Sequence, residues 1–224
     1  MNFNFSKAAK AQNILKSRLK FVPLKKEPKF VAGCDLTFIN PYKTPTVGIG
    51  AFVVLSYPDL EVIEKVYTTL DVNVPYVPGF LAFREIPLLL KAFKKLKIKP
   101  DVVIVDGHGI AHPRRLGIAA HFGVVTGIST IGCAKKPLYG EFEVPCNEKG
   151  CYSPVKAPDT GEILGYVVRS RKNVKPIYVS PGNLIDLEST LKLMLSIINR
   201  SKYRIPEPTR LAHNYLQEVR KSLM

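Results

Sequence analysis

Three carboxylates in apolar surroundings are the first candidates for chemistry. Asp35 lies within a run of small and apolar residues, Asp106 directly follows Val102–Val105, and Glu85 precedes the apolar residues of a predicted helix. A carboxylate in such a setting is costly unless it is paired or binds a metal ion, and Mg²⁺ prefers oxygen ligands on rigid elements. The trio therefore predicts a Mg²⁺ site that activates water and stabilises a phosphate transition state. Taken singly, each acid remains open to interpretation as a cap, an ion-pair partner or a solvent-facing strand end.

The segment from Gly107 to Arg115 is the densest polar patch of the sequence, with two histidines and two arginines between glycines. Glycine lets the backbone approach a ligand closely, and arginine binds phosphate through two parallel hydrogen bonds. The pattern favours a phosphate-handling loop. Two alternatives stay open: an ordinary glycine-rich turn with a solvated basic face, and a zinc site of His108, His112 and Asp106, whose remaining ligands lack a familiar spacing.

An aromatic residue stands on a stiff, proline-bounded loop, Pro75-Tyr76-Val77-Pro78-Gly79. Proteins that unstack nucleic acid insert apolar wedges between base steps, and enzymes that act on one base extrude it into a pocket. Tyr76 is therefore a candidate wedge. The competing interpretation is a tyrosine packed beneath its own loop.

Two further polar residues are weaker candidates. Lys135 ends a predicted strand, where it could contact a scissile phosphate, although by itself it is a surface lysine. His213 lies on the last predicted helix, where a satisfied surface or core histidine is the competing interpretation.

The first half of the chain supplies strands and a helix to hold the acids. Segments rich in Val, Ile, Phe and Thr predict an antiparallel meander of Phe30–Ile39, Thr46–Ser56 and Glu61–Leu70. Apolar residues at helical spacing follow the Tyr76 loop, and Pro87 fits only the first turn of that helix, which places Glu85 at or just before the helix start. The apolar run Val102–Val105 predicts a strand buried on both faces.

The second half alternates short helices and strands. We predict a helix at Arg115–Phe122, strands at Thr130–Ala134, Ile163–Arg169 and Pro176–Ser180, an irregular stretch before the second of these strands, and closing helices at Leu184–Asn199 and Pro208–Ser222. A meander followed by alternating elements predicts an α/β fold with a central mixed β-sheet flanked by helices. We expect a single domain over residues 1–224.

Charge indicates the partner. Lysine and arginine number 33 against 18 acidic residues, a net charge of +15, which concentrates polyanions near the surface. Nucleic acid is the favoured partner; an anionic membrane surface or a merely basic chain are the alternatives. No apolar stretch approaches the roughly 18 residues that span a bilayer, and the polar start does not resemble a secretion signal, so we expect a cytoplasmic protein. We also expect a monomer.

The four cysteines match no zinc motif, and a chain of this length needs no disulfide framework. We interpret them as small buried or loop residues. A bridge between Cys146 and Cys151 stays open.

Several stretches together resemble the endonuclease V family in their residues and in their order along the chain. The most specific is Val105-Asp106-Gly107-His108-Gly109-Ile110-Ala111-His112-Pro113-Arg114, which lies within the matching stretch Pro100–Gly117. The other stretches are Val31–Leu36, Pro75–Glu85, Thr130–Lys135, Tyr178–Gly182 and Pro208–His213. The chain departs from the family pattern at Asn183, where many members have histidine, and at Cys133, and these departures affect surface or packing details more than catalysis.

The resemblance implies a ribonuclease H-like fold and a nuclease that depends on Mg²⁺, for which Mn²⁺ is expected to substitute. It implies incision at the second phosphodiester 3′ to inosine, which leaves a 3′-hydroxyl and a 5′-phosphate and begins repair of deaminated adenine. DNA containing deoxyinosine is the preferred partner, and inosine-containing RNA stays open.

The resemblance also implies roles by position. The metal-binding acids are Asp35, Glu85 and Asp106, with Lys135 assisting at the phosphate and His213 as a further active-site member. The strand-separating wedge is Tyr76, flanked by Pro75, Val77 and Pro78. The hypoxanthine pocket comprises Gly79, Leu81, Gly107, Gly109 and Ile118, and the positioning residues are His112 and Arg84.

Two other classes of function compete with this one. A non-catalytic inosine-binding module would use the same pocket and basic face, although intact acids argue against it. A nuclease for branched DNA on the same fold would need no base pocket and would show no preference for inosine.

Overall fold

A computed structural model of the chain describes residues 4–77 and 80–223. The helices are α1 (Phe5–Lys16), α2 (Leu81–Phe93), α3 (Ile118–Thr126), α4 (Leu187–Asn199) and α5 (Glu207–Ser222). The strands are β1 (Phe30–Phe38), β2 (Thr46–Ser56), β3 (Val62–Val72), β4 (Val102–Val105), β5 (Ser129–Ala134), β6 (Tyr152–Lys156), β7 (Ile163–Val168) and β8 (Ile177–Asn183).

All eight strands belong to one mixed sheet, in the order β3-β2-β1-β4-β5-β8-β7-β6. The predicted antiparallel meander is confirmed, because β2 pairs antiparallel with both β1 and β3. The short strand β4 runs parallel to β1 on one side and to β5 on the other. The carboxyl ends of β1 and β4 therefore meet at the same edge of the sheet.

Helices cover both faces of this sheet, and β4 shows the division. Val102 and Ile104 pack in a core with α4 and α5, whereas Val103 and Val105 pack in a second core with α2 and α3. Side chains alternate between the faces of a strand. A strand covered on both sides must be apolar at every position, which explains its run of four buried residues.

The predicted start of α2 is wrong. The helix begins at Leu81, so Pro87 lies inside it and Glu85 lies in its interior instead of at its start. An internal proline removes one backbone hydrogen bond and costs about 3 kcal/mol. Pro87 is exposed while its neighbours Ile86 and Leu88 are buried, so burial of the apolar face on both sides of the proline offsets that cost.

The start of one other helix and the presence of one strand also differ from prediction. Helix α3 begins at Ile118 and not at Arg115, because Arg115 has a left-handed backbone (φ 57°) that no α-helix contains. Strand β6 lies within the stretch predicted to be irregular. It is a short edge strand that contains Pro154, and proline is tolerated at an edge because no neighbour needs its missing N–H.

Asn183 is a buried packing residue and not a surface one. Its side-chain oxygen accepts a hydrogen bond from the Lys20 backbone (3.0 Å), and its amide donates to the Gly123 carbonyl (3.0 Å). The departure at this position therefore changes how the segment after α1 and helix α3 are joined to β8.

Among residues 4–77 and 80–223, no helix has the length and apolar character needed to cross a bilayer.

A disulfide joins Cys146 to Cys151, while Cys34 and Cys133 are buried free thiols. The bridged loop is fastened to Arg169, whose guanidinium donates to the Cys146 carbonyl (3.2 Å) and whose backbone carbonyl accepts from Gly150 (2.8 Å). The bridge therefore closes a short loop that packs beside strand β7.

Reduction of this disulfide should lower the free energy of unfolding. Closing a loop of about six residues removes roughly 2 kcal/mol of chain entropy from the unfolded state. We expect dithiothreitol to lower the urea midpoint of the wild type and to leave that of the double variant Cys146→Ser/Cys151→Ser unchanged. An equal response of both proteins to reductant would contradict this account.

Candidate active site

Two acids and a histidine converge at the edge where β1 and β4 end. Ligand atoms of Asp35, Asp106 and His213 all lie within 4.8 Å of one another, and no other such group of three is found among the residues that the structure describes. His213 Nδ1 lies 2.7 Å from Asp35 Oδ2, although the two residues are 178 positions apart. Carboxylate and imidazole are both metal ligands, so this cluster is a candidate metal site.

Strand alternation explains why these side chains meet. Val31 on β1 faces α4 and α5, and Asp35, four positions on, shares that face. Helix α5 begins directly on this strand, because a Cβ at Gly33 would lie 1.8 Å from the Pro208 carbonyl oxygen. His213, in the second turn of α5, is thereby brought over Asp35.

Glu85 approaches the cluster from α2, on the opposite face of the sheet, and lies outside the 4.8 Å group. Burial raises its pKa to about 7, against the lowering effect of Arg84 and with a further increase from the charge of Asp35. Burial and repulsion by Asp106 likewise raise the pKa of Asp35, although His213 and the Leu36 N–H (2.8 Å) oppose the shift. The crowded carboxylates therefore favour a bound cation.

Lys135 lies beside the cluster at the end of β5. Its ammonium is 2.5 Å from Asp106 Oδ2, and its side chain stays 38% exposed. The Lys135 carbonyl accepts a hydrogen bond from Arg204 (3.0 Å). The lysine is thus held against the acids while its charge still reaches solvent, where an anionic substrate would approach.

The loop that follows β4 packs with its backbone against the neighbouring elements. A Cβ at Gly109 would lie 2.0 Å from the Pro181 carbonyl oxygen, and one at Gly107 would lie 2.5 Å from Ile118 Cγ2. The Gly109 N–H donates to the Ser180 hydroxyl (2.8 Å). Gly107 and Ile118, which the family resemblance assigns to one pocket, therefore lie side by side next to Asp106.

His112 is held in one protonation state. Its Nδ1 accepts a hydrogen bond from the Arg114 N–H (3.1 Å), and burial followed by the charge of Arg114 lowers its pKa to about 4. The proton of the neutral ring then lies on Nε2, which can donate. The zinc alternative gains no support, since His108 and His112 do not belong to the metal-ligand group found among the described residues.

Tyr76 does not pack beneath its own loop. It is 46% exposed and contacts Tyr42 of the β1–β2 hairpin edge to face, with ring centroids 5.5 Å apart. Pro75 and Val77 flank it as half-buried residues, whereas Pro78 and Gly79 lie outside the described residues. Leu81 begins α2 and lines a cleft with Tyr76, so the wedge candidate and the acid on α2 share one surface.

The sequence and fold of the chain match those of known proteins from one family. Residues 13–214 match the family model for endonuclease V. Endonuclease V of Thermosipho melanesiensis is 45% identical over 215 residues, which cover 96% of this chain and 91% of that protein. The chain belongs to the endonuclease V family. It is a nuclease.

Solved structures of endonuclease V match the chain along nearly its whole length. The Bacillus subtilis enzyme gives a TM-score of 0.92 at 36% identity, covering 99% of this chain and 94% of that one. The Ciona intestinalis enzyme, crystallised with a 24mer DNA containing an inosine followed by a ribo-adenosine, gives 0.82 at 26% identity, with 98% of each chain covered.

A more distant likeness bears on the fold alone. Argonaute from A. aeolicus gives a TM-score of 0.54 at 16% identity, covering 87% of this chain and 29% of that one. The mixed sheet with helices on both faces is the ribonuclease H-like fold, as the family resemblance implied.

Two features of the site were not anticipated from the sequence. His213 was expected in the active site but not among the metal-ligand group, and no spacing signal links it to Asp35 across the whole chain. Arg84 is 1% exposed, and its guanidinium has no hydrogen-bond partner among the described residues. Its place beside Glu85 in an apolar helix was the only signal that could have singled it out.

Removing the Glu85 charge should stabilise the metal-free protein at alkaline pH. Because its folded pKa of about 7 exceeds the unfolded value of roughly 4.3, folding binds a proton between those values, and stability falls as the pH rises through 7. Without divalent metal, we expect Glu85→Gln to raise the free energy of unfolding at pH 8 by up to about 3 kcal/mol and to change it little at pH 4.

Urea unfolding at both pH values in EDTA measures this difference. Glu61→Gln, at an exposed position in the β2–β3 turn, is the matched control and should show no gain at pH 8. A loss of stability in Glu85→Gln at pH 8 would contradict the raised pKa.

Proposed function

We propose that this chain is a Mg²⁺-dependent endonuclease that recognises inosine in DNA and cuts the second phosphodiester on its 3′ side, leaving a 3′-hydroxyl and a 5′-phosphate. The observation that carries the proposal is the convergence of Asp35, Asp106 and His213 within a chain of the endonuclease V family. The Ciona intestinalis relative bound to inosine-containing DNA supports the choice of substrate. Such a nick would begin DNA repair.

The donor set fits a divalent cation. Asp35, Asp106 and His213 would hold it, with Glu85 completing the site from α2. Burial and mutual repulsion raise the pKa values of Asp35 and Glu85, and a cation would relieve both effects. A bound Mg²⁺ activates water and neutralises charge on the phosphate; Mn²⁺ accepts the same oxygen and imidazole ligands and is expected to substitute.

Other groups of the chain would bind and orient the substrate. Lys135 places a positive charge beside Asp106, where a scissile phosphate would lie. The hypoxanthine would lie against Gly107, Gly109 and Ile118, with Leu81 and Gly79 completing the pocket. His112, a neutral Nε2–H donor, and Arg84 would position the strand.

Tyr76 would act as the strand-separating wedge, on the stiff segment of Pro75, Val77 and Pro78. Its partial exposure supports this role, since a wedge must reach the base stack. We further propose that the chain acts as a single domain and as a monomer in the cytoplasm.

The decisive experiment is incision of an end-labelled duplex with one deoxyinosine, in Mg²⁺ or in EDTA. We expect a nick at the second phosphodiester 3′ to inosine, only on that strand and only with Mg²⁺. Asp35→Asn and Asp106→Asn should lower the single-turnover rate at least about a thousandfold, because each removes a metal-ligand charge, while binding of the duplex persists. The exposed turn variant Asp59→Asn should cut like the wild type.

The alternatives give different results. Specific binding without any cut would indicate an inosine-binding module, and equal cutting of an unmodified or branched duplex would indicate another nuclease. An RNA strand of the same sequence containing inosine measures the preference for DNA. Undiminished cutting by Asp35→Asn would refute the metal site.

A further inference from the structure

The cleft that Leu81 and Tyr76 line also reaches Glu85. It lies between the β1–β2 hairpin and the start of α2, and we call it the hairpin cleft. Its walls include Phe38, Pro41, Tyr76, Arg84, Glu85 and Arg220, and its volume is about 290 Å³. It shares Leu81 with the base pocket proposed above, but Gly107, Gly109 and Ile118 do not line it, so that pocket does not account for the cleft as a whole.

The hairpin cleft holds two cations that the protein itself leaves without hydrogen bonds. Arg84 is 1% exposed, its guanidinium stacks 4.3 Å above the Phe38 ring, and its three nitrogens have no hydrogen-bond partner among the described residues. A buried guanidinium without partners is costly unless a ligand supplies them. Arg220 of α5 also lines the cleft, and its side chain makes no hydrogen bond or ion pair with a residue that the structure describes. The pair is suited to an anion.

An exposed aromatic ring contacts one of the residues that line the cleft, Tyr76. This ring belongs to Tyr42, which is 83% exposed and packs edge to face against Tyr76. An exposed aromatic ring beside unpaired arginines is the combination that single-stranded nucleic acid requires, because bases stack on aromatic faces while cations follow the phosphates.

The order of the strands sets the direction in which a bound chain runs. Along the carboxyl edge of the sheet, the glycine loop follows β4, the acids lie between β4 and β1, and the hairpin cleft lies beyond β1 toward β2. A strand with inosine at the glycine loop and its cut at the acids must continue toward the hairpin. The segment that reaches the cleft is therefore the one on the 3′ side of the cut.

From this we infer that the hairpin cleft binds the nucleotide on the 3′ side of the scissile phosphodiester, with Arg220 and Arg84 at the phosphate that follows this nucleotide and Tyr42 stacked on its base. The inference rests on the proposed inosine-specific cut. The hairpin cleft would bind the fragment that carries the new 5′-phosphate, and Tyr42 and Arg220 would be substrate-binding residues.

The test uses single-stranded oligonucleotides, so that duplex separation by Tyr76 plays no part. Three substrates are compared: a strand with ten nucleotides beyond the cut, the same strand with an abasic sugar directly after the cut, and a strand that ends one nucleotide after the cut. Dissociation constants are measured with Ca²⁺ in place of Mg²⁺, and KM for incision is measured with Mg²⁺.

Tyr42→Ala should weaken binding of the full strand about tenfold, the order expected for one stacked base, and should change binding of the abasic strand less than twofold. The matched control is Tyr152→Ala, which removes an exposed tyrosine of the opposite sheet edge with a similar edge-to-face contact; it should bind every strand like the wild type. An equal loss on the full and abasic strands would overturn the stacking role, and so would no loss at all.

Arg220→Gln should weaken binding of the full and abasic strands alike, and should reduce the salt dependence by about one phosphate contact. On the truncated strand its effect should vanish. A loss that persists on the truncated strand would overturn the phosphate role.

Failure of the two proposals is distinguishable. If the wild type does not cut the inosine strand at all, the proposed function fails; if it cuts while both variants bind all strands like the wild type, only the hairpin cleft is refuted.

Discussion

The packing of the first turn of α5 on Gly33 is the contact on which the site depends. A side chain at this position would collide with the Pro208 carbonyl, so strand and helix meet at backbone distance. The same contact seats Ala212 in the core and brings His213 to Asp35. Any residue larger than glycine would lift the helix, and core packing and the metal-ligand group would be lost together. Stability and assembly of the site are therefore coupled through one glycine.

Opposite faces of the sheet contribute to one site at its edge. His213 lies on α5 and Glu85 lies on α2, and the two helices pack in different cores. Side chains from both faces can meet only beyond the last buried residue of β4. The polar groups therefore cluster at Asp106, which directly follows Val105. The sheet separates the two cores everywhere else, so the site needs no opening through the apolar interior.

Sequence patterns were sufficient for the parts that depend on local periodicity. The meander, the doubly buried β4 and the mixed sheet were predicted, because alternation and apolar runs are properties of neighbouring residues. Pro87 was misjudged because tertiary burial around it offsets a local penalty, and β6 was missed because a short edge strand carries little pattern. The approach of His213 to Asp35 and the cleft between Tyr76 and Arg220 depend on contacts between distant segments, which no spacing rule encodes.

Arg84 is not paired with the acids at this edge of the sheet. Arg84 precedes Glu85 directly in the sequence and lowers the pKa of that acid, yet its nitrogens make no hydrogen bond with a described carboxylate. A fold selected for stability alone would pair such groups, since each is costly when buried and unpartnered. Keeping acids on one side and arginines on the other leaves room for a cation and a phosphate to bridge them. A phosphodiester strand with its metal ion supplies both, so the substrate completes an electrostatic arrangement that the protein leaves open.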